Sequence, residues 1–255
     1  MQEKRPLLEV RNLEKRFGGV RALQGASLII EAGETIALVG DNGAGKSTFV
    51  KSIAGVQPAD TGEILLNGKP VSIRTPKDAG ALGIEVVYQD LALANSLDVA
   101  ANVFLGDEPR LLNLGWFSIP DTKKIARETA ETLKRLRINI PDPNRPVANL
   151  SGGQRQAVAI GRSVRKGLRE LLILDEPTAA LGVEEVRKVL ALIESLKESG
   201  QSMLIISHDL EHVFRVADRV AVMRQGRVIA TRRIADVTKT DVVRLIVGDL
   251  EGAVA

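Results

Sequence analysis

No feature of the 255-residue sequence restricts its fold more than Gly40-Asp41-Asn42-Gly43-Ala44-Gly45-Lys46-Ser47-Thr48, which follows directly on the apolar run Ile36-Ala37-Leu38-Val39. Gly40, Gly45, Lys46 and Ser47 fit the spacing G-x-x-x-x-G-K-[ST] of a phosphate-binding loop. The physical reason lies in the glycines, which let the backbone curl tightly enough to aim successive amides into one concave nest. A helix opening near Gly45 adds its positive N-terminal end to that nest. Lys46 then reaches the outer phosphates as a point charge, and the Ser47 hydroxyl completes a Mg²⁺ shell made mostly of water and phosphate oxygen. A glycine-rich turn joining strand to helix by chance is the bland alternative. The strand before the loop and the stretch Phe49-Val50-Lys51-Ser52-Ile53-Ala54 after it argue against that alternative.

A chain of this length buries a large core and holds one α/β domain with room for a subdomain. Its 35 Lys and Arg against 32 Asp and Glu leave a net charge of +3, too balanced to argue for nucleic acid. A slight basic excess also suits work beside an anionic membrane leaflet. With no cysteine, disulfides, thiolate metal sites and cysteine catalysis are excluded together. The opening Met-Gln-Glu-Lys-Arg-Pro carries no signal-type apolar segment, and no run approaches the roughly 20 apolar residues of a membrane span. The expectation is a cytosolic chain that meets any membrane through a partner.

In chain order, strands are expected over Leu7 to Leu13, Ser27 to Ile30 and Thr35 to Val39, with Phe17 in a loop beside Gly18-Gly19. A lone aromatic there is either packing or a flat surface for a purine. Glu63 to Lys69 reads as a hairpin turning at Asn67-Gly68. Thr75-Pro76 starts a helix that Gly83 closes, and the strand Ile84 to Tyr88 ends at Gln89. Residues 96–150 change character, with helices after Ser96 and Asp121 and an apolar stripe of Ile125, Leu133 and Leu136. Leu150-Ser151-Gly152-Gly153-Gln154 opens a further helix with the capping spacing S-x-x-Q. Two glycines in its first turn cost helix stability, which makes sense if something must approach the backbone there.

Leu171-Leu172-Ile173-Leu174 is a continuous apolar run, as in a strand buried on both faces, and it ends in Asp175-Glu176-Pro177. Two adjacent carboxylates at such a strand end are costly unless used. A helix from Val183 to Ser199, a strand Met203 to Ile206 ending in Ser207-His208-Asp209, a short helix to Ala217, and strands Val220 to Met223 and Val228 to Ala230 follow. Thr240 is the expected cap of a last helix ending near Gly248. This pattern describes an α/β fold with a mostly parallel sheet whose ligand binds beyond the carboxyl ends of the strands. There Asp175 can hold Mg²⁺ with Ser47, Glu176 can orient or deprotonate a water, and His208 can bond a γ-phosphate and link it to Glu176. Gln89 can reach metal and water through its amide.

Together these stretches resemble the ATP-binding subunits of ABC transporters over nearly all of residues 7–248. The resemblance rests on the Walker A loop 40–48, Gln89 as Q-loop, the signature Leu150 to Gln154, the Walker B strand ending in Asp175-Glu176, and the switch His208. It implies a P-loop ATPase core (roughly 7–95 and 155–248) with an N-terminal antiparallel β subdomain and an inserted helical subdomain (96–154), all one domain. It implies ATP and Mg²⁺, and Phe17 stacking on adenine. It also implies that two copies face head to tail, so that each ATP lies between the phosphate loop of one and Ser151-Gly152-Gly153-Gln154 of the other. The partners implied are an integral membrane permease at the cytoplasmic face of the inner membrane and, indirectly, a periplasmic sugar-binding protein. Nucleic acid is not among them.

Phe17 to Leu23, Tyr88 to Leu93 and Glu176 to Glu184 look like the monosaccharide-import branch of that family, in a single-domain form carrying fructose- or ribose-type sugars. One position departs from the family: the D-loop usually ends in Leu-Asp, and here the pair is Leu181-Gly182. The rival expectation is a soluble, non-transport ABC protein acting on ribosomes or DNA, with Arg162, Arg165, Lys166 and Arg169 as its contact surface. A solvated helix face explains those cations as well, because no aromatic residues interleave with them. A phosphate-loop GTPase would need an Asn-Lys-x-Asp motif, which the sequence lacks.

Overall fold

The computed structural model describes residues 6–113 and 118–249. Strands β1 (Pro6–Phe17) and β2 (Val20–Glu31) form an antiparallel hairpin about Gly18-Gly19, and both are longer than the sequence predicts. Polar stretches such as Glu14-Lys15-Arg16 read as loop, yet the backbone stays paired, with Lys15 opposite Leu23 and Phe17 opposite Val20. β3 (Thr35–Val39) leads into the phosphate loop, and α1 (Lys46–Ile53) follows it. β4 (Thr61–Leu66) and β5 (Lys69–Val71) make the expected hairpin, with Asn67 and Gly68 both at positive φ. α2 (Pro76–Ala81) starts at Thr75 with Asp78 completing a reciprocal cap, and β6 (Ile84–Val87) stops one residue short of Tyr88.

α3 (Val99–Phe104) is capped by Asp98. A short antiparallel pair, β7 (Arg110–Asn113) with β8 (Ser118–Pro120), lies between α3 and the next helix and is not expected from the sequence. α4 (Thr122–Arg135) is capped by Asp121, and α5 (Gly152–Val164) by Ser151. β9 (Leu171–Asp175), α6 (Val183–Glu198), β10 (Met203–Ile206), α7 (Leu210–Val216), β11 (Arg219–Arg224), β12 (Arg227–Arg233) and α8 (Lys239–Val247) complete the chain. α8 corrects one expectation: its cap is Thr238, not Thr240. Thr238 has Asp241 three residues on, so hydroxyl and carboxylate satisfy each other's amides, which Thr240 cannot match.

The chain divides into two compact units. The first comprises residues 1–86, 169–177 and 197–255 and holds two sheets. One is four-stranded, in the order β2-β1-β4-β5. The other is six-stranded, in the order β12-β11-β3-β10-β9-β6; β11, β3, β10 and β9 run parallel, and β12 is antiparallel on β11. β3 shows why its apolar run is unbroken. Ile36 and Leu38 pack with Phe49 and Ile53 of α1, whereas Ala37 and Val39 pack with Val213 of α7 and Val242 and Leu245 of α8.

The second unit comprises residues 87–168 and 178–196. Its core joins Val99, Val103 and Phe104 of α3 to Ile125 and Leu133 of α4 and Val158 of α5. Asn102, fully buried, bonds the backbone of Ala94, Leu97 and Asp98 and so fixes the loop before α3. The cations of the basic cluster each have a partner within the chain, and Lys166 stays exposed. Arg162 donates to the carbonyls of Leu91 and Ala92 at 3.0 and 3.1 Å. Arg165 lies over the Phe104 ring and pairs with Asp107, as does Lys166, while in the first unit Arg169 pairs with Glu85.

The correction at α8 yields a test. Thr238→Ala lowers stability in a urea titration by about 1 kcal/mol, the usual worth of an N-cap hydroxyl, whereas Thr240→Ala changes it by only a few tenths.

Candidate active site

The parallel register of three adjacent strands assembles the site in the first unit. Ile206 of β10 lies beside Leu38 of β3 and beside Asp175 of β9. The residues just past those positions are Gly40, His208 and Glu176, so loop, histidine and carboxylates leave the sheet at one edge. Phosphate loop, acidic pair and histidine are therefore brought together by register alone, although Asp175 and His208 stand far apart in the sequence.

The loop is shaped by close backbone approach. A Cβ on Gly40 would stand 2.1 Å from the Met223 carbonyl oxygen, and one on Gly45 would stand 2.7 Å from that of Ala22. Both residues also need positive φ, so glycine is required twice over. The Gly226 amide donates to the Ala44 carbonyl at 2.8 Å, and Gly226 in turn accepts from the Gln24 amide at 2.9 Å. The β11–β12 turn thus braces the loop against β2. Asp41, Asn42, Gly43 and Ser47 are exposed along its rim, with Thr48 partly covered.

Lys46 is buried, and its ammonium donates to the carbonyls of Gly40 at 2.6 Å and Asp41 at 3.0 Å. Burial holds its pKa below the ordinary lysine value, against the opposing pull of Glu176, Asp41 and Asp175. Asp175 is pushed upward, chiefly by burial and then by the Glu176 charge, while Lys51 and Lys46 pull it down. Lys51, one turn along α1 and not singled out by the sequence, is thus part of the charge balance.

Glu176 sits at φ 51°, the left-handed region, with its amide bonded to the Ile206 carbonyl at 2.9 Å. Its carboxylate oxygens lie 3.0 and 2.9 Å from Nδ1 of His208. With Nδ1 donating, the opposite ring nitrogen of this exposed imidazole is turned toward whatever lies in front of the strand ends. The arrangement can hold a water against a phosphate, with Glu176 accepting a proton and His208 bonding a phosphate oxygen. Phe17 lies at the end of β1, 43% exposed, with the Lys15 ammonium 5.8 Å from its ring centroid.

The remaining expected residues belong to the second unit. Gln89 is exposed just beyond β6. Ser151 caps α5 reciprocally: its hydroxyl accepts from the Gln154 amide at 3.3 Å, and the Gln154 side chain accepts the Ser151 amide at 3.1 Å. Gly152 and Gly153 are held where a Cβ would collide with Leu181 and Glu185, each at 2.8 Å. Glu185 is a residue that sequence reasoning missed; its position three residues after Gly182, the spacing of a helix cap, is the signal that would have found it.

A strand-end phosphate loop with a carboxylate–histidine pair defines a nucleoside-triphosphate-hydrolysing site. Comparison with known proteins narrows the class. The family model described as "ABC transporter" matches residues 23–179. The chain is 47% identical to a xylose/arabinose import ATP-binding protein of Sulfolobus acidocaldarius, over 88% of this chain and 86% of that one. It is 43% identical to a fructose import ATP-binding protein of Rhizobium meliloti, over 96% and 95%. A ribose import ATP-binding protein of Rubrobacter xylanophilus is 44% identical, but the chain spans only 47% of its length. Among solved structures, the ADP conformation of an ATP-binding cassette from an ABC transporter matches with a TM-score of 0.81 at 28% identity, covering 95% of this chain and 99% of the other. The chain belongs to the ABC transporter family, and it is an ATP-binding ATPase domain of that family.

The left-handed backbone at residue 176 gives a measurable signature. Glu176→Gly is more stable than Glu176→Ala by about 1 kcal/mol in urea unfolding, because only glycine occupies that conformation without penalty.

Proposed function

We propose that this chain is the ATP-hydrolysing subunit of an importer for a monosaccharide. The observation that carries the hydrolytic part of the reading is the Glu176–His208 contact at 2.9–3.0 Å beside the buried Lys46. Import of xylose or arabinose, fructose and ribose by the related proteins supports a small-sugar cargo. In this reading Lys46 and the amides of residues 40–48 hold the phosphates, and Phe17 stacks on adenine. Water attacks the γ-phosphorus, Glu176 takes its proton, the bond to the β–γ bridging oxygen breaks, and ADP and phosphate leave. His208 bonds the γ-phosphate through the nitrogen that does not face Glu176.

Ser47, Asp175 and Gln89 would hold Mg²⁺, which neutralises charge on the β- and γ-phosphates when bound. Among the described residues no group of three acidic, histidine or cysteine side chains could hold a metal by itself. A hydroxyl, one carboxylate and one amide fit a hard cation that keeps most of its shell as water and phosphate oxygen.

A second copy supplies Ser151-Gly152-Gly153-Gln154 to each nucleotide, so binding of ATP closes a head-to-tail dimer and hydrolysis reopens it. A permease receives the motion through the segment from Gln89 to about Gly106, and a periplasmic sugar-binding protein delivers cargo to that permease. Among the described residues no helix is long and apolar enough to cross a membrane, in keeping with attachment through a partner at the cytoplasmic face of the inner membrane. The internal pairing of Arg162, Arg165, Lys166 and Arg169 weighs against a ribosome- or DNA-bound role.

Glu176→Gln abolishes phosphate release, by at least about 100-fold for loss of a positioned base, and leaves an ATP-bound dimer visible by size-exclusion chromatography. Unchanged hydrolysis overturns the role given to Glu176. Lys46→Ala weakens ATP binding itself in a direct titration. Co-purification with a membrane permease rather than with ribosomes distinguishes transport from the alternative.

A further inference from the structure

The starts of α5 and α6 meet at one side chain. Glu185, in the first turn of α6, turns its carboxylate back to accept the Gly182 amide at 3.2 Å. The same carboxylate lies against the start of α5, with one of its oxygens 3.4 Å from where a Cβ on Gly152 would stand, and Ser151, then Gly182 and Gly153, hold it below the ordinary glutamate range. Packing there is close, since a Cβ on Gly153 would lie 2.8 Å from the Glu185 Cβ. Capping α5 does not require Glu185, because Gln154 already closes the reciprocal cap at Ser151. Helices of 13 and 16 residues thus point their positive ends at a single carboxylate.

Resting on the composite-site reading given above, we propose that Glu185 is a resident counter-anion of the signature segment. In the open protein its carboxylate occupies the start of α5 beside Gly152 and Gly153; when the dimer closes, the γ-phosphate of the second copy's ATP arrives at that same helix start. The sign of the effect follows from charge. Two anions cannot share one helix start without repulsion, so Glu185 opposes closure, and that repulsion is relieved once the γ-phosphate has left. Closing is thereby made conditional on a full triphosphate, and reopening is assisted. The neighbouring Glu184 does not share this role: its carboxylate pairs with Arg187 at 2.7 Å.

The test uses the full chain carrying Glu176→Gln, with ATP-driven dimerisation followed by analytical ultracentrifugation. Adding Glu185→Gln lowers the ATP concentration for half-maximal dimer about three- to fivefold, the range for one charge at a helix N-terminus. Adding Glu184→Gln, which removes the same charge one residue away, leaves it unchanged. If Glu185→Gln does not fold by circular dichroism, Glu185→Asp, which draws the carboxylate back by one methylene, shifts the midpoint in the same direction. A midpoint that is unchanged or raised by the Glu185 substitution, or lowered equally by Glu184→Gln, overturns the inference while the composite site stands. A parent that never dimerises with ATP overturns the composite site, and the inference with it.

Discussion

The pairing of Ile206 with Leu38 on one side and with Asp175 on the other decides where all of the chemistry sits. Parallel strands in this register end level with one another, so whatever residues follow them emerge at a common edge. A slip of one residue would turn each strand's side chains to the opposite face and carry Ile36 and Leu38 away from α1. Burial forbids the slip, because both faces of β3 are packed, one against Phe49 and Ile53 and the other against Val213 and Leu245. The apolar core thus sets the distance between a glutamate and a histidine that are remote in sequence.

What was legible in the sequence were features with local causes. The phosphate loop, the Asn67-Gly68 turn, the Thr75 and Ser151 caps and the Ile125–Leu133–Leu136 stripe each depend on residues within a few positions of one another, and each is found as expected. The acidic pair and His208 were recognisable as residue types at strand ends, but their contact depends on strand order, which no local pattern specifies. The extension of β1 and β2 was illegible for the same reason. Residues such as Lys15 and Arg16 become strand through backbone partners across the hairpin, and the Lys15 ammonium and the Arg16 amide are held by Asp60 and Pro58 rather than by a core.

The last helix and the basic cluster failed differently. Thr238 and Thr240 look alike as single residues, and only the reciprocal bond from Asp241 distinguishes them. Arg162, Arg165, Lys166 and Arg169 looked like surface because cations usually are, yet each finds a carbonyl, a carboxylate or a ring presented by another segment. Polar partners supplied by distant segments are what composition cannot convey. Glu185 is an intermediate case, since its capping spacing is local but its packing against Gly152 and Gly153 is not.

The fit of Gly40 beneath the Met223 carbonyl, and the bond from the Gly226 amide to Ala44, have a bearing on how the protein is made. The motif at residues 40–48 has walls that come from a strand and turn more than 170 positions later in the chain. During translation an emerging N-terminal portion carries the complete phosphate-loop sequence without the braces that shape it, and such long-range pairing forms late. The loop therefore takes its folded shape only once β11 and the β11–β12 turn have been made, and a fragment that ends before β11 lacks the walls that hold it.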